Sequence, residues 1–191
     1  MPIYIISDLH FNHKAILAFE RNQFQTIEEH NQYIIDQWNK VVKKDDIVYL
    51  LGDVGFISKS QPLSELGRLT CQLNGHIYCI LGNHDHFKEQ DAKTLGFDKI
   101  YTHPIYYNDK IILSHEPVQE AFNNPYVINI HGHLHKTTLD NNILTNYFNV
   151  SAAFINYQPQ LLSIYINKAL TMCKKRHEDF QKEWYAKYYI F

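Results

Sequence analysis

Five short apolar runs in this chain each stop at a polar cluster drawn from Asp, Asn, His, Ser and Gly, and that recurrence limits the folds open to it. The clusters are Asp8-Leu9-His10, Gly52-Asp53, Gly82-Asn83-His84-Asp85, Ser114-His115 and His131-Gly132-His133. The runs before the first three, Ile3 to Ile6, Ile47 to Leu51 and Ile77 to Leu81, are rich in β-branched and aromatic residues. Runs of that length and composition, closed by turn residues, read as buried strands. Helical signals lie between them. Thr26-Ile27-Glu28-Glu29 has capping-box spacing, and Ile27, Tyr33, Ile34, Trp38, Val41 and Val42 fall near one face, which predicts a helix to about Val42. Ser60-Gln61-Pro62 resembles an N-cap with Pro near the first turn, and residues 87 to 95 can form a short helix before Gly96.

Beyond residue 99 the pattern changes. The runs Ile105 to Tyr107, Ile111 to Leu113, Val127 to Ile130, Tyr147 to Val150 and Leu161 to Ile166 predict closely spaced strands with few helices. A βαβαβ first half followed by a mostly β second half predicts an α/β fold in which two sheets pack face to face with helices on the outer faces. No linker divides the 191 residues, so one domain is expected. From about residue 168, Cys173, His177, Phe180, Trp184, Tyr188 and Phe191 recur at three and four residues, predicting an amphipathic C-terminal helix. Packing on the body of the protein is its expected role, with a homo-oligomer contact as the alternative.

Composition removes several function classes. With 18 basic against 20 acidic residues, the chain has no global field to gather a long polyanion, so no large nucleic-acid groove is expected. The groups Lys40, Lys43, Lys44 and Lys174, Lys175, Arg176 read as solvated helix faces. No stretch approaches the roughly 18 apolar residues that span a bilayer, and the N-terminus lacks a basic segment and a cleavage site. Cys71, Cys79 and Cys173 show no CxxC spacing and read as buried thiols, which suits a cytoplasmic setting.

Histidine is over-represented, with 12 copies, several of them beside Asp, Asn and Gly. Side chains beyond the C-terminal ends of neighbouring strands gather in one crevice, so five strands would feed a single site. Asp8 and His10 are two apart, as are His131 and His133, so strand alternation would point each pair one way. Together Asp8, His10, Asp53, Asn83, His115, His131 and His133 offer imidazole nitrogens, carboxylates and one amide oxygen. That mixture suits manganese first, with iron, zinc, nickel or cobalt as alternatives, and is too rich in nitrogen for a calcium or magnesium cage.

In order and spacing these five blocks resemble the signature of the calcineurin-like metallophosphoesterase superfamily: D-x-H, G-D, G-N-H-D/E, a lone His, and G-H-x-H or H-G-H. The sequence His131-Gly132-His133-Leu134-His135 and the later Asn149-Val150-Ser151 are similar to short bacterial and phage members. Phe11 and Glu116 depart from many relatives. The resemblance implies two divalent metals, one held by Asp8, His10 and His133, the other by Asn83, His115 and His131, with Asp53 bridging. It implies hydrolysis of a phosphate ester by a water activated between the metals, with His84 as the acid that protonates the leaving group. Asp85 would orient the His84 ring. The expected substrate is a small phosphodiester, nucleotides and cyclic nucleotides included, since no cap insertion closes the site. A phosphomonoesterase and a non-catalytic interaction module on the same fold are the alternatives. His13, His30, His76, His86, His103, His135 and His177 read as surface or hydrogen-bonded groups, with His13 and His135 near enough to the motifs to contact substrate.

Overall fold

The computed structural model describes residues 1–58, 61–124, 126–137, 139 and 146–188. Ser60, expected as an N-cap, and Phe191 lie outside them. The first half builds β1 (Ile3–Ile6), α1 (Ile16–Phe19), α2 (Ile27–Val41), β2 (Ile47–Leu51), α3 (Ser64–Thr70), β3 (His76–Ile80), α4 (Ala92–Leu95) and β4 (Lys99–Tyr101). The second half adds β5 (Ile105–Asn108), β6 (Ile111–Leu113), α5 (Gln119–Asn123), β7 (Ile128–His131), β8 (Tyr147–Asn149), β9 (Gln160–Leu161) and α6 (Leu162–Tyr188).

One sheet has the order β4-β3-β2-β1-β9, with β1 to β4 parallel and β9 antiparallel. The other runs β5-β6-β7-β8, with β6, β7 and β8 parallel. Alternation along each strand sorts its residues between layers. Val48, Leu50, Ile77 and Cys79 face outward onto Ile34, Ile35 and Trp38 of α2 and Leu66 of α3. Ile5, Leu51 and Ile80 face inward and share a core with Ile111, Leu113, Ile128 and Ile130 of the second sheet and Leu162, Tyr165 and Ala169 of α6. Ile112 turns to the far side, where it meets Ala121 of α5. The result is the expected two-sheet α/β sandwich, with α2, α3 and α5 on its outer faces and α6 contributing to the inner core.

Local chemistry explains the elements. Thr26 caps α2 by accepting the Glu29 amide at 3.1 Å, while the Glu29 carboxylate reaches back one residue further than expected, to the Gln25 amide at 2.7 Å. Gly96, with φ at +70°, ends α4 in the left-handed conformation.

Three expectations need correction. Leu161 to Ile166 is a strand only at its first residue, and α6 begins at Leu162, six residues before the expected start. A short apolar run fits either period, and Leu162, Tyr165 and Ala169 at helical spacing fill the inner core. The C-terminal stripe does not all pack on the body, since Phe180 is 60% exposed. Of the cysteines only Cys79 is buried, and Cys71 lies exposed. Among the described residues, no helix is long and apolar enough to cross a membrane.

Candidate metal centre

Every candidate motif lies at or just past the C-terminal end of a parallel strand: Asp8 and His10 after β1, Asp53 after β2, Asn83 after β3, His115 after β6, and His133 and His135 after β7, whose last residue is His131. The two sheets meet there. The Ser7 amide donates to Val150 and the Ser7 carbonyl accepts from Ala152, so the end of β1 is stitched to the chain leaving β8. Around this seam the backbone takes an unusual form. Asp8, His10, Asp53, His133 and His135 all have positive φ, between 50° and 67°. A non-glycine residue in that region costs about 1–2 kcal/mol, and such strain concentrates where a site demands it.

The backbone form corrects the expected ligand set. Asp8/His10 and His133/His135 are both pairs of left-handed residues flanking a leucine, so the counterpart of Asp8-Leu9-His10 is His133-Leu134-His135. His135 lies in one cluster with Asp8, His10 and Asp53, with ligand atoms all within 4.8 Å of one another. Its Nε2 is 3.2 Å from His10 Nε2 and 3.7 Å from Asp8 Oδ1. His133 belongs to the other group: its Nδ1 is 3.2 Å from Asn83 Oδ1 and 3.3 Å from His115 Nε2. His131 joins neither. It is the last residue of β7, its Nδ1 lies 2.8 Å from the Gly132 carbonyl, and its ring packs on Tyr147. Burial pushes its pKa down to about 4. Gly132 permits the change of course after His131, because a Cβ there would collide with the Ser7 hydroxyl and the Asp8 carboxylate.

Asp53 stands between the two groups. Its Oδ2 is 3.7 Å from His10 Nε2 and 3.5 Å from His115 Nε2, and its Oδ1 accepts the His84 amide at 3.0 Å. Asp85 is corrected in role. Its carboxylate accepts the amides of Gly82, Asp53 and Val54, each at 2.9 Å, so it shapes the turn that presents Asp53 rather than orienting the His84 ring. Burial lifts its pKa to about 7 despite those donors, with the Asp53 charge adding to the rise. The exposed His84 ring lies 6.4 Å from the His10 ring between centroids.

The donor chemistry fits a pair of cations. The Leu51 carbonyl, 2.8 Å from His115 Nδ1, can only accept, so it fixes the proton there and leaves a lone pair on Nε2. That lone pair faces the Asn83 Oδ1 at 2.9 Å, an acceptor opposite an acceptor, which a positive ion between them would satisfy. At the other position, burial and then the buried Arg21 guanidinium hold His10 far below the ordinary imidazole range, so it too offers a lone pair. Burial opposes charge on His135, but the hydrogen bond to Glu20 and the Asp8 carboxylate outweigh it and raise the pKa. Carboxylates that draw a proton to that imidazole would equally favour a metal in its place.

Behind the candidate ligands lie residues that the sequence did not single out for function. Arg21 is fully buried and donates to the carbonyls of Asp8 at 2.6 Å and Leu9 at 2.8 Å. Its third partner is His30 Nε2 at 2.6 Å, so His30 is kept neutral as an acceptor. Burial, then the Arg21 charge, pulls the His30 pKa down to about 3. Its ordinary value is about 6.5. A depressed folded pKa means that this stabilisation is complete above about pH 6.5 and is lost as the pH falls toward 3. Each unit is worth about 1.4 kcal/mol. Urea unfolding of metal-free protein should therefore show stability falling by several kcal/mol across that window, and His30→Gln should flatten the slope by one proton. An unchanged slope would show that His30 is not held neutral.

The corrected ligand set has its own test. Metal analysis of His135→Ala should show one ion lost from the pair, while His131→Gln should keep both. The reverse pattern would restore the original reading.

The chain matches the family model described as calcineurin-like phosphoesterase over residues 1–180. An uncharacterized protein of Methanocaldococcus jannaschii is 37% identical over 174 residues, covering 86% of this chain and 89% of that one. The gene 66 protein of Mycobacterium phage L5 is 37% identical over 94 residues, 48% of this chain and 44% of its own. A crystallised protein of unknown function from Aquifex aeolicus superposes with a TM-score of 0.64 at 27% identity, covering 87% of this chain and 98% of that one. Sequence blocks, sheet order and a model match over nearly the whole length agree, and the chain belongs to the calcineurin-like phosphoesterase family.

Proposed function

We propose that this protein hydrolyses small phosphodiesters with two divalent transition-metal ions, manganese first, held by Asp8, His10 and His135 on one side and Asn83, His115 and His133 on the other. The observation that carries the reading is Asp53 Oδ2, equidistant to within 0.2 Å between His10 of one group and His115 of the other, at 3.7 and 3.5 Å. Such a pair of ions, when bound, supplies charge that lowers the pKa of a water and neutralises phosphoryl oxygens. The chain supplies the rest. His84 follows Asn83 directly, has its amide fixed on Asp53, and keeps an exposed ring near His10, which suits a proton donor to the leaving alkoxide.

The surroundings support a diester with a planar group. Next to His10, the His13 ring stacks on Phe56 at 5.7 Å and 23°, and Phe56 is 51% exposed. Asn12, His13, Lys14 and Phe56 line a cavity of about 790 Å³, roomy enough for a nucleoside. A nucleotide or cyclic nucleotide would place its base against such a wall.

Metal-stripped protein should be assayed on bis-p-nitrophenyl phosphate and p-nitrophenyl phosphate after adding Mn, Ni, Co, Zn or Mg. Metal-dependent turnover with the diester preferred is the expected result. A monoester preference would make the protein a phosphomonoesterase, and no turnover with two ions bound would contradict the catalytic reading. His84→Ala should keep both ions yet lose about 10²–10⁴-fold on alkyl esters and less on activated aryl esters. Equal loss on both would remove the acid role.

A further inference from the structure

Glu20 and Arg21 follow directly on the single turn of α1, and their amides both donate to the Ile16 carbonyl at 3.0 Å, which fixes where the two side chains start. They then reach two segments far apart in sequence. The Glu20 carboxylate hydrogen-bonds the Nδ1 of His135, and the Glu20 carbonyl accepts from Lys136 Nζ at 3.0 Å. Arg21 grips the consecutive carbonyls of Asp8 and Leu9, which hold the left-handed turn carrying Asp8 and His10. Asp8, His10 and His135 are the three residues read above as one metal position.

No recorded hydrogen bond or ion pair of either residue, among the described residues, reaches Asn83, His115 or His133. That second position is oriented differently, with the His115 Nδ1 held by the Leu51 main chain. We infer that Glu20-Arg21 is a positioning clamp for the Asp8–His10–His135 metal position alone: Glu20 fixes the tautomer and ring orientation of His135, and Arg21 fixes the backbone bearing Asp8 and His10. The inference rests on the dinuclear reading of the site.

The physical reason is the tautomer. With Nδ1–H committed to a carboxylate, the Nε2 lone pair of His135 points at the place shared with His10 Nε2, 3.2 Å away. Without that partner the ring can rotate or carry its proton on Nε2, and either change removes a ligand. Outer-shell partners of metal-bound histidines are typically worth about 10–100-fold in metal affinity. The Asp8 carboxylate also accepts the His133 amide, at 3.0 and 3.2 Å, but among the six candidate ligands Glu20 itself bonds only His135, so loss of Glu20 separates the two affinities instead of lowering both.

Manganese titration of the metal-free full chain, followed by calorimetry and by electron paramagnetic resonance, reads this directly. Wild type should take two ions and give the coupled spectrum of a manganese pair. Glu20→Leu should retain one tight ion and weaken the other about 10–100-fold, with an isolated-ion spectrum at one equivalent per chain. Glu20→Gln, whose side-chain oxygen can still accept from Nδ1, should stay within about tenfold of wild type. Glu20→Asp keeps the charge but falls one carbon short of the ring, so it should repeat the selective loss if Glu20→Leu fails to fold. Two unchanged affinities in Glu20→Leu or Glu20→Asp, or equal weakening of both, would overturn the clamp while leaving the dinuclear site standing. Wild type that binds no manganese pair would remove both readings together.

Discussion

Asp53→Asn is expected to abolish the paired metal site and to cut phosphoesterase turnover at least about a thousandfold, the scale of losing several kcal/mol of transition-state stabilisation. The expectation follows from place and charge. Asp53 Oδ2 stands 3.7 Å from one group of imidazoles and 3.5 Å from the other, so a single substitution removes an anionic oxygen from both. Asn keeps the shape and can keep the bond from the His84 amide, so the fold should survive and the loss should appear in metal content. Retention of two ions per chain in the folded variant would show that Asp53 does not bridge.

Arg21→Met is expected to cost about 3–5 kcal/mol of folding stability, the range for removing one partner from a buried charged network. Three acceptors lose their donor at once: the carbonyls of Asp8 and Leu9 and the Nε2 of His30. The first two also sit in backbone that is strained at Asp8 and His10. Arg21→Lys should recover little, since one ammonium cannot reproduce the planar fork that spans two successive carbonyls and an imidazole. Urea unfolding checks this, and a loss under about 1 kcal/mol would mean that the buried guanidinium contributes no more than an ordinary hydrogen bond.

Much of this architecture is legible in the sequence because local and global signals agree. Ile3–Ile6, Ile47–Leu51 and Ile111–Leu113 form strands over the expected residues, and α2 begins at its predicted cap. The failures have physical causes. Leu161 to Ile166 is apolar enough for a strand, and only its contact with the inner core selects a helix from Leu162. The three-residue β4, Lys99–Tyr101, has too little pattern to announce itself and is held by pairing with β3.

The site shows the same division. Which motifs converge is readable, but His131-Gly132-His133-Leu134-His135 contains two overlapping His-x-His pairs; strand alternation points to His131 and His133, whereas the structure groups His135 with Asp8 and His10, and His133 with Asn83 and His115. Alternation stops applying at His131, where β7 ends. The imidazoles beyond it are presented by left-handed backbone at His133 and His135, a conformation that no side chain there advertises. The usable signal was the leucine shared by Asp8-Leu9-His10 and His133-Leu134-His135. Glu20 offered no local signal, because its partner His135 is 115 residues away. Arg21 is similar in kind: its partners are main-chain carbonyls whose exposure to it depends on the fold.

Anomalous scattering from crystals soaked in manganese tests the central claim most directly. The account expects two peaks, one ringed by Asp8, His10 and His135, the other by Asn83, His115 and His133, with Asp53 touching both. A single peak, or a peak coordinated by His131, would contradict it.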